Sequence, residues 1–387
     1  MQRNYRYRLY PTKAQEAGLV RHLEVHRRLY NAGLQERREA WERRGISRNY
    51  YDLANQLKEV RALDPEAAFA NYTSLQQTLR RVEKAFTAFF RRVKAGEKPG
   101  YPRFKGRQRF TTIEYRWEDG IRLTGKRLHI HRVGGIKVKL HRPIPDGAKI
   151  TNAYLKRVGI TWEVVISFSA PDVVRPVHPG PAVGIDVGLH ALLATSDGTL
   201  IDNPRWYREA QGQLAKAQKV LSRRKLRSNR WRKQRRVVAH QQEHTAHQRR
   251  DFLHKLSFHL TDTYRLIAVE DLQIQNMLHG TLAKSIHDAG WGAFRNMLAY
   301  KVENTGSQLI AVHPNGTSQH CSRCGALVPK DLSVRLHSCH VCGLKLDRDV
   351  NAARNILALA LERLTARTEP SVKSRTRVRR SREAAPL

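Results

Sequence analysis

Apolar residues in the stretch after Asn71 fall at Leu75, Leu79, Val82, Phe86, Phe89 and Val93. Steps of four and three place them on one face of a helix. Ser74, with Gln77 three positions later, resembles a capping box at its start. An earlier helix is predicted around Gln15 to Arg44, dense in Arg and Glu on its polar side, so residues 11–95 read as helical. From 110 to 170 the period falls to two, in LHIH (Leu128–His131), IKVKL (Ile136–Leu140) and WEVVISFS (Trp162–Ser169). Gly125, Gly134, Gly135 and Gly159 mark turns there, and a small antiparallel barrel or sandwich fits.

Between these regions runs a turn-rich basic bridge, Ala95–Arg109, where Pro99, Gly100 and Pro102 prevent a helix. Tyr101 and Phe104 lie among Lys98, Arg103, Lys105 and Arg107. Aromatics among cations can stack on bases and contact phosphates, or can tuck inward from a solvated loop. The segment 171–181 holds Pro171, Pro176, Pro179 and Pro181 and reads as a semi-rigid linker, the clearest domain boundary in the chain.

The second half opens with AVGIDVGLHALLATSDGTLIDN: two short apolar strands turning near Gly188, then Asp197-Gly198 leading into a third strand. Two long helices are predicted over roughly 205–228 and 231–262, then a buried strand in RLIAVEDL, a helix over 289–306 and another buried strand in SQLIAVHP. A cysteine segment interrupts before a last helix from Asp349 to about Arg367. Three meander strands followed by strands alternating with helices argue for an α/β domain of ribonuclease-H-like type. The tail after Arg367 is basic, poor in apolar residues and expected to be disordered. No repeat of solenoid period is present.

Charge changes the picture of partners. The 387 residues, enough for about two to three domains, carry 71 Lys and Arg against 34 acids, a net charge of +37. A polyanion such as DNA or RNA neutralises that charge and gains entropy from released counterions. The cations run through the whole chain instead of forming one amphipathic helix, which argues against an anionic-membrane binder. No apolar run approaches the ~18 residues needed to span a bilayer. The N-terminus MQRNYRYRLYP lacks a signal-peptide core, so a soluble cytoplasmic protein is expected. From Lys216 to Arg236 there are eleven Lys or Arg and no acid, while Leu214, Ala217 and Leu221 keep one apolar edge. Arg223, Arg224, Lys225, Arg232 and Lys233 are therefore expected on the outer face of a groove tracking nucleic-acid backbone, where a merely solvated face would mix signs.

Candidate chemistry lies in two sets of residues. Asp186 follows the apolar run Ala182–Ile185, Glu270 ends Leu266–Val269, and Asp349 heads a helix. An ionised carboxylate beside a buried strand is costly unless a cation or donors compensate it. Three converging acids would repel one another, and divalent cations resolve that repulsion. Mg²⁺, or Mn²⁺ in its place, prefers such hard oxygen ligands. Two such ions ~3.5–4 Å apart can activate a water and stabilise the leaving oxygen of a phosphodiester, giving a 5′-phosphate and a 3′-hydroxyl. Each acid has a plainer alternative. Asp186 could bond backbone amides at Val187-Gly188, Glu270 could pair with a lysine while Asp271 is the ligand, and Asp349 could simply cap its helix. The four cysteines, Cys321, Cys324, Cys339 and Cys342, form C-x₂-C-x₁₄-C-x₂-C, close to zinc-ribbon spacing. Four thiolates make a closed, structural Zn²⁺ site. Gly325 and Gly343 suit tight turns after each pair, and His320 or His340 could replace one thiol.

GIDVG around Asp186, VEDL around Glu270, the double CxxC and DRDVNAARNI around Asp349 resemble the TnpB family of bacterial insertion sequences. So do YRLYPT, PGYPRFKGR, DFLHKLS (Asp251–Ser257) and SIHDAGWG (Ser285–Gly292), and the resemblance runs from about Tyr5 to Leu364. It implies a wedge-like split β-barrel (1–10 and 96–172) with an inserted helical recognition lobe (11–95) and a linker (173–181). A RuvC-like nuclease domain (182–315 and 345–367) with an inserted zinc ribbon (316–344) and a basic tail (368–387) would follow. It also implies RNA-guided endonuclease activity on double-stranded DNA, with a guide RNA transcribed from the transposon end and a short flanking motif read by the protein. By motif match Asp186, Glu270 and Asp349 form the catalytic triad, Asp347 being the lesser choice for the last, and Tyr51, Asn55, Tyr72 and Gln76 are candidates for motif reading. The rival readings are a guided repressor that does not cut, a RuvC-like nuclease that reads DNA shape without a guide, and a strand-joining transposase. All three acids and all four cysteines are present, which disfavours the repressor.

Overall fold

A computed structural model describes residues 2–171, 175–277, 279–331 and 333–368. The chain forms two compact units, Met1–Val173 and Val174–Leu387.

In the first unit, strand β1 (Gln2–Tyr10) is followed by five helices: α1 (Lys13–Arg44), α2 (Tyr50–Asn55), α3 (Leu57–Leu63), α4 (Pro65–Phe69) and α5 (Tyr72–Lys94). Six strands complete the unit: β2 (Thr112–Arg116), β3 (Ile121–Thr124), β4 (Arg127–Ile130), β5 (Gly134–Lys139), β6 (Lys149–Val158) and β7 (Thr161–Ser169). They make one antiparallel sheet in the order β2-β6-β7-β1-β5-β4-β3. Its edge strands β2 and β3 are separated by residues 117–120 alone, and side chains from every strand, such as Tyr7, Ile113, Ile121, Leu128, Val138, Leu155 and Trp162, share one core. The sheet is nearly closed, which removes most of the edge that an open sheet would expose.

The helical stripe of α5 is buried at Leu75, Leu79, Val82 and Phe86, but Val93 at its end is 48% exposed. The cap differs from the expectation. Asn71 accepts from the Ser74 amide at 2.9 Å, so the helix starts one turn before Ser74, which is buried and bonds His26 at 2.9 Å. A side-chain carbonyl at Asn71 satisfies the free amide that a cap must meet, and Ser74 is left to serve the interior. Reciprocal capping boxes open α1, between Thr12 and Gln15, and α2, between Asn49 and Asp52. In the basic bridge, Tyr101 packs edge-on to Phe86 and Phe89, and Asn31 brackets the Lys105 backbone with bonds of 2.8 and 3.1 Å.

The second unit contains β8 (Ala182–Val187), β9 (Ala191–Thr195), β10 (Leu200–Asp202), α6 (Trp206–Ser222), α7 (Asn229–Thr263) and β11 (Leu266–Glu270). It continues through α8 (Ile274–Met277), α9 (Ala283–Ala289), α10 (Trp291–Thr305), β12 (Gln308–Val312), β13 (Leu336–Ser338), β14 (Lys345–Asp347) and α11 (Arg348–Thr368). Five strands form a mixed sheet, β10-β9-β8-β11-β12, in which β8, β11 and β12 are parallel and β9 and β10 antiparallel. The runs LIAVE and ALLAT are apolar on both sides because helices cover both faces. Val183, Ile185, Ile267 and Val269 pack with α7 and α10, whereas Ala268 and Val312 pack with Ile356 and Ala360 of α11. The linker is tied down from residue 175 onward: His178 bonds the Asp262 carbonyl at 2.9 Å, and its amide donates to Gly306. No helix among the described residues is long and apolar enough to cross a membrane. The tail beyond Thr368, read as disordered, lies outside the described residues.

Candidate metal centres

Strand alternation positions the acids. On β8 and β11 the odd-numbered residues Val183, Ile185, Ile267 and Val269 face α7 and α10, so Asp186 and Glu270 fall on the opposite face, which carries α11. Ile185 is level with Val269 in the parallel register, and the next residues along the two strands are Asp186 and Glu270. Asp349 stands in the first turn of α11. That helix lies directly on β8, since a β-carbon on Gly184 would sit 2.0 Å from the Ala353 carbonyl oxygen. A β-carbon on Gly188, just past β8, would meet the Ala191 carbonyl oxygen at 2.8 Å, so this glycine serves the turn into β9, with Asp349 Oδ2 only 3.7 Å away.

The carboxylates repel one another. Burial, and then the charges of Glu270 and Asp349, push Asp186 well above the ordinary carboxylate range. Burial raises Glu270, opposed by a hydrogen bond from the Thr317 hydroxyl to its Oε1 at 2.5 Å. Burial also raises Asp349, opposed by Arg335, whose guanidinium lies 3.3 Å from Oδ2. The Thr317 hydroxyl, the Val187 amide and the charges of Arg335, Arg348 and His190 offset this only in part, since all three acids stay raised, and such a group fits a divalent cation. The acids are not gathered as closely as the cysteines, which are the one such group among the described residues. The plainer duties fall to their neighbours. Asp347 accepts from the amides of Asp349 and Val350 at 2.8 and 3.2 Å, capping α11, and Asp271 pairs with Arg295 at 2.7 Å.

The four thiols lie within 4.8 Å of one another. The sulfur pairs Cys321–Cys342 and Cys324–Cys339 are each 3.6 Å apart, too far for disulfides. Backbone amides of Cys342 and Val341 draw the Cys339 thiol down to about 6 against its burial. Amides aimed at sulfur, four thiols in tetrahedral reach and left-handed Gly325 and Gly343 after each pair fit a thiolate-bound metal ion. Two asparagines of α11 hold this hairpin in place, Asn351 by accepting from the Ser322 amide at 2.9 Å and Asn355 by donating to the Thr317 carbonyl at 2.7 Å. Sequence reading missed Thr317, Arg335, Asn351 and Asn355, because each acts across 14 to 47 residues and no local spacing announces it.

The candidate nucleic-acid contacts separate into three places. Tyr51 is 69% exposed and Asn55 ends α2, while Tyr72 and Gln76 sit one turn apart on α5. Arg103 is exposed, Lys105 is half-buried and pinned through its backbone to Asn31, and Arg107 lies 3.4 Å from Glu24. The cationic run of the second unit spans two helices as expected, but the first ends at Ser222, short of the expected 228. α6 ends at Ser222, Arg223, Arg224 and Lys225 lie in the turn, and Ser228 caps α7 ahead of Arg232 and Lys233. All five cations are exposed, and none has a carboxylate partner among the described residues. The helices fold back because Leu214 and Ala217 pack on Val238. The start of α6 has no local side-chain cap, and buried Asp288 supplies one by accepting from the Tyr207 amide at 3.0 Å and from Arg249 at 2.6 Å.

Comparisons with known proteins match three stretches of the chain. Residues 165–280 match the OrfB_IS605 family ("Probable transposase"), and residues 291–356 match "Cas12f1-like, TNB domain". Residues 1–45 match a "Helix-turn-helix domain", although here that stretch is one strand and one unbroken helix, β1 and α1. In a cryo-EM structure of a Cas12f1-sgRNA-target DNA complex the protein covers 92% of this chain and 98% of its own, at TM-score 0.55 and 14% identity, so the fold is shared. On that fold sit the acidic group at the ends of parallel strands and the four-thiol cluster. A protein of Streptomyces pristinaespiralis named as an RNA-guided DNA endonuclease is 35% identical over 93% of this chain and 90% of its own. InsQ of Escherichia coli (strain K12), with the same designation, is 31% identical over 92% and 91%. The chain belongs to the TnpB family of RNA-guided DNA endonucleases.

Proposed function

We propose that the second unit is a ribonuclease-H-like, RuvC-type nuclease in which Asp186, Glu270 and Asp349 hold two Mg²⁺ ions and cut target DNA beside a short flanking motif. The carrying observation is that strand alternation turns Asp186 and Glu270 to the face occupied by α11, whose first turn brings Asp349 close enough for all three charges to interact. Divalent ions there would supply a metal-activated water and charge stabilisation at the leaving oxygen. The chain's own part is to hold three oxygen ligands on rigid elements, with Gly184 fixing the helix and Thr317 orienting Glu270. Cys321, Cys324, Cys339 and Cys342 hold one structural Zn²⁺ in a ribbon inserted before α11. The partners are a guide RNA from the transposon end, which selects the target by base pairing, and double-stranded DNA. Support comes from the cationic hairpin Arg223–Lys233 and from relatives bearing the RNA-guided name. Tyr51, Asn55, Tyr72 and Gln76 are assigned to reading the flanking motif.

The test is purification from cells that also express the element's flanking DNA, sequencing of any co-purified RNA, and challenge of a plasmid library with Mg²⁺. A discrete RNA and cuts beside one short motif are expected, and Asp186→Ala should abolish cutting while target binding survives. Absence of a retained RNA refutes guidance, and cutting by Asp186→Ala refutes the site.

A further inference from the structure

The chain leaves β12 at Val312 and reaches the first cysteine nine residues later. Midway stands Thr317, polar yet only 5% exposed. Its hydroxyl donates to Glu270 Oε1 at 2.5 Å. Its carbonyl accepts from Asn355 Nδ2 at 2.7 Å, and the same amide donates to the His320 carbonyl at 2.8 Å. One turn earlier on α11, fully buried Asn351 donates to that carbonyl at 2.8 Å and accepts from the Ser322 amide at 2.9 Å. Ser322 lies inside the first CxxC pair. Two asparagines of α11 thus clamp residues 317–322, and the clamped segment offers one hydroxyl to an acid on β11.

We propose that Thr317 is a positioning residue that orients the Glu270 carboxylate for divalent metal, and that the clamp on the thiol hairpin sets where Thr317 stands. A carboxylate has several rotamers, and a fixed donor on one oxygen leaves the other aimed at the ion. Outer donors of this kind are typically worth about 10–100-fold in metal affinity. The clamp makes the thiol hairpin part of the machinery that shapes the acid site, beyond holding its own fold. The inference rests on Glu270 being a metal ligand.

Mn²⁺ binding to the full chain without nucleic acid, followed by the EPR signal of the free ion, tests it apart from cleavage. Thr317→Val keeps the shape and removes the donor, and should weaken Mn²⁺ binding about tenfold. Thr317→Ser restores the donor and should bind nearly as wild type. Asn355→Ala touches no carboxylate, yet should weaken binding as well, and it serves alone if Thr317→Val fails to fold. Cleavage by Thr317→Val should recover at raised Mg²⁺. Wild-type affinity in Thr317→Val or Asn355→Ala, with Glu270→Gln impaired, overturns the positioning role and leaves the acid site standing. Wild-type affinity in Glu270→Gln overturns the acid site itself.

Discussion

Gly184 and Ala353 touch backbone to backbone: a β-carbon on the glycine would lie 2.0 Å from the alanine's carbonyl oxygen. This contact seats α11 on β8 and so determines how near Asp349 comes to Asp186. Gly184→Ala should therefore cost about 2 kcal/mol or more through overpacking, a fall in Tm of roughly 4–8 °C, and should lower cleavage by moving Asp349. Gly212 on α6 has open space around it, so Gly212→Ala should instead raise stability by about 0.5–1 kcal/mol. Thermal melts of both variants separate the local clash from any general effect of adding a methyl.

The acid group predicts a pH-dependent stability. Asp186, Glu270 and Asp349 are all raised in the folded state. Their folded forms keep protons that the unfolded chain has lost, so the stability they confer is present below the ordinary carboxylate range and is lost as pH rises through their raised values. Without divalent metal, Asp186→Asn should melt higher than wild type at pH 8, and the gap should close toward pH 4. Added Mg²⁺ should raise the wild-type Tm and leave the variant nearly unmoved. Equal metal-free melting of the two at pH 8 would show that the acids do not repel.

Buried histidines work in the opposite sense. Burial pushes His22 down to about 4 and His26 to about 3, and the unfolded chain protonates both near 6.5. The first unit should be fully stable above pH 6.5 and lose stability as pH falls from there toward 4, by about 3 kcal/mol for His22 alone. His26→Gln should flatten this acid limb in melts read by circular dichroism.

The thiol cluster should bind one zinc per chain, measured by elemental analysis. Cys339→Ser, which removes the thiol drawn down to about 6, should abolish stoichiometric zinc and raise protease sensitivity within residues 316–344. Since thiols must release protons to bind the ion, affinity should fall with decreasing pH.

The cationic hairpin should govern salt dependence. Replacing Arg223, Arg224, Lys225, Arg232 and Lys233 by Ala should weaken binding of any single-stranded RNA. The slope of log K against log salt should flatten by about 0.7 for each phosphate that is no longer neutralised. An unchanged slope would place those charges away from nucleic acid.

Much of this was legible in the chain. The alternation in WEVVISFS, the apolar runs before Asp186 and Glu270 and the Leu75–Phe86 stripe announce strands and a helix because burial of one face or both imposes a period of two or 3.6. The cysteine spacing announces a metal site because two knuckles and one ion suffice to make it. The family resemblance named the three acids, and strand parity then turned two of them to one face. The tertiary structure alone decided what the rest of the chain does for them. Gly184 is a glycine because a helix from more than 160 residues later lies on it, Thr317 meets Glu270 across 47 residues, and Asp288 caps a helix 81 residues earlier. That the two cationic helices fold back on each other, with Leu214 and Ala217 on Val238, is likewise a matter of contacts in space. Local periodicity records which face is buried. It carries no record of the partner, since a hydrogen bond or a steric contact depends on distance in space, and distance along the chain leaves that open.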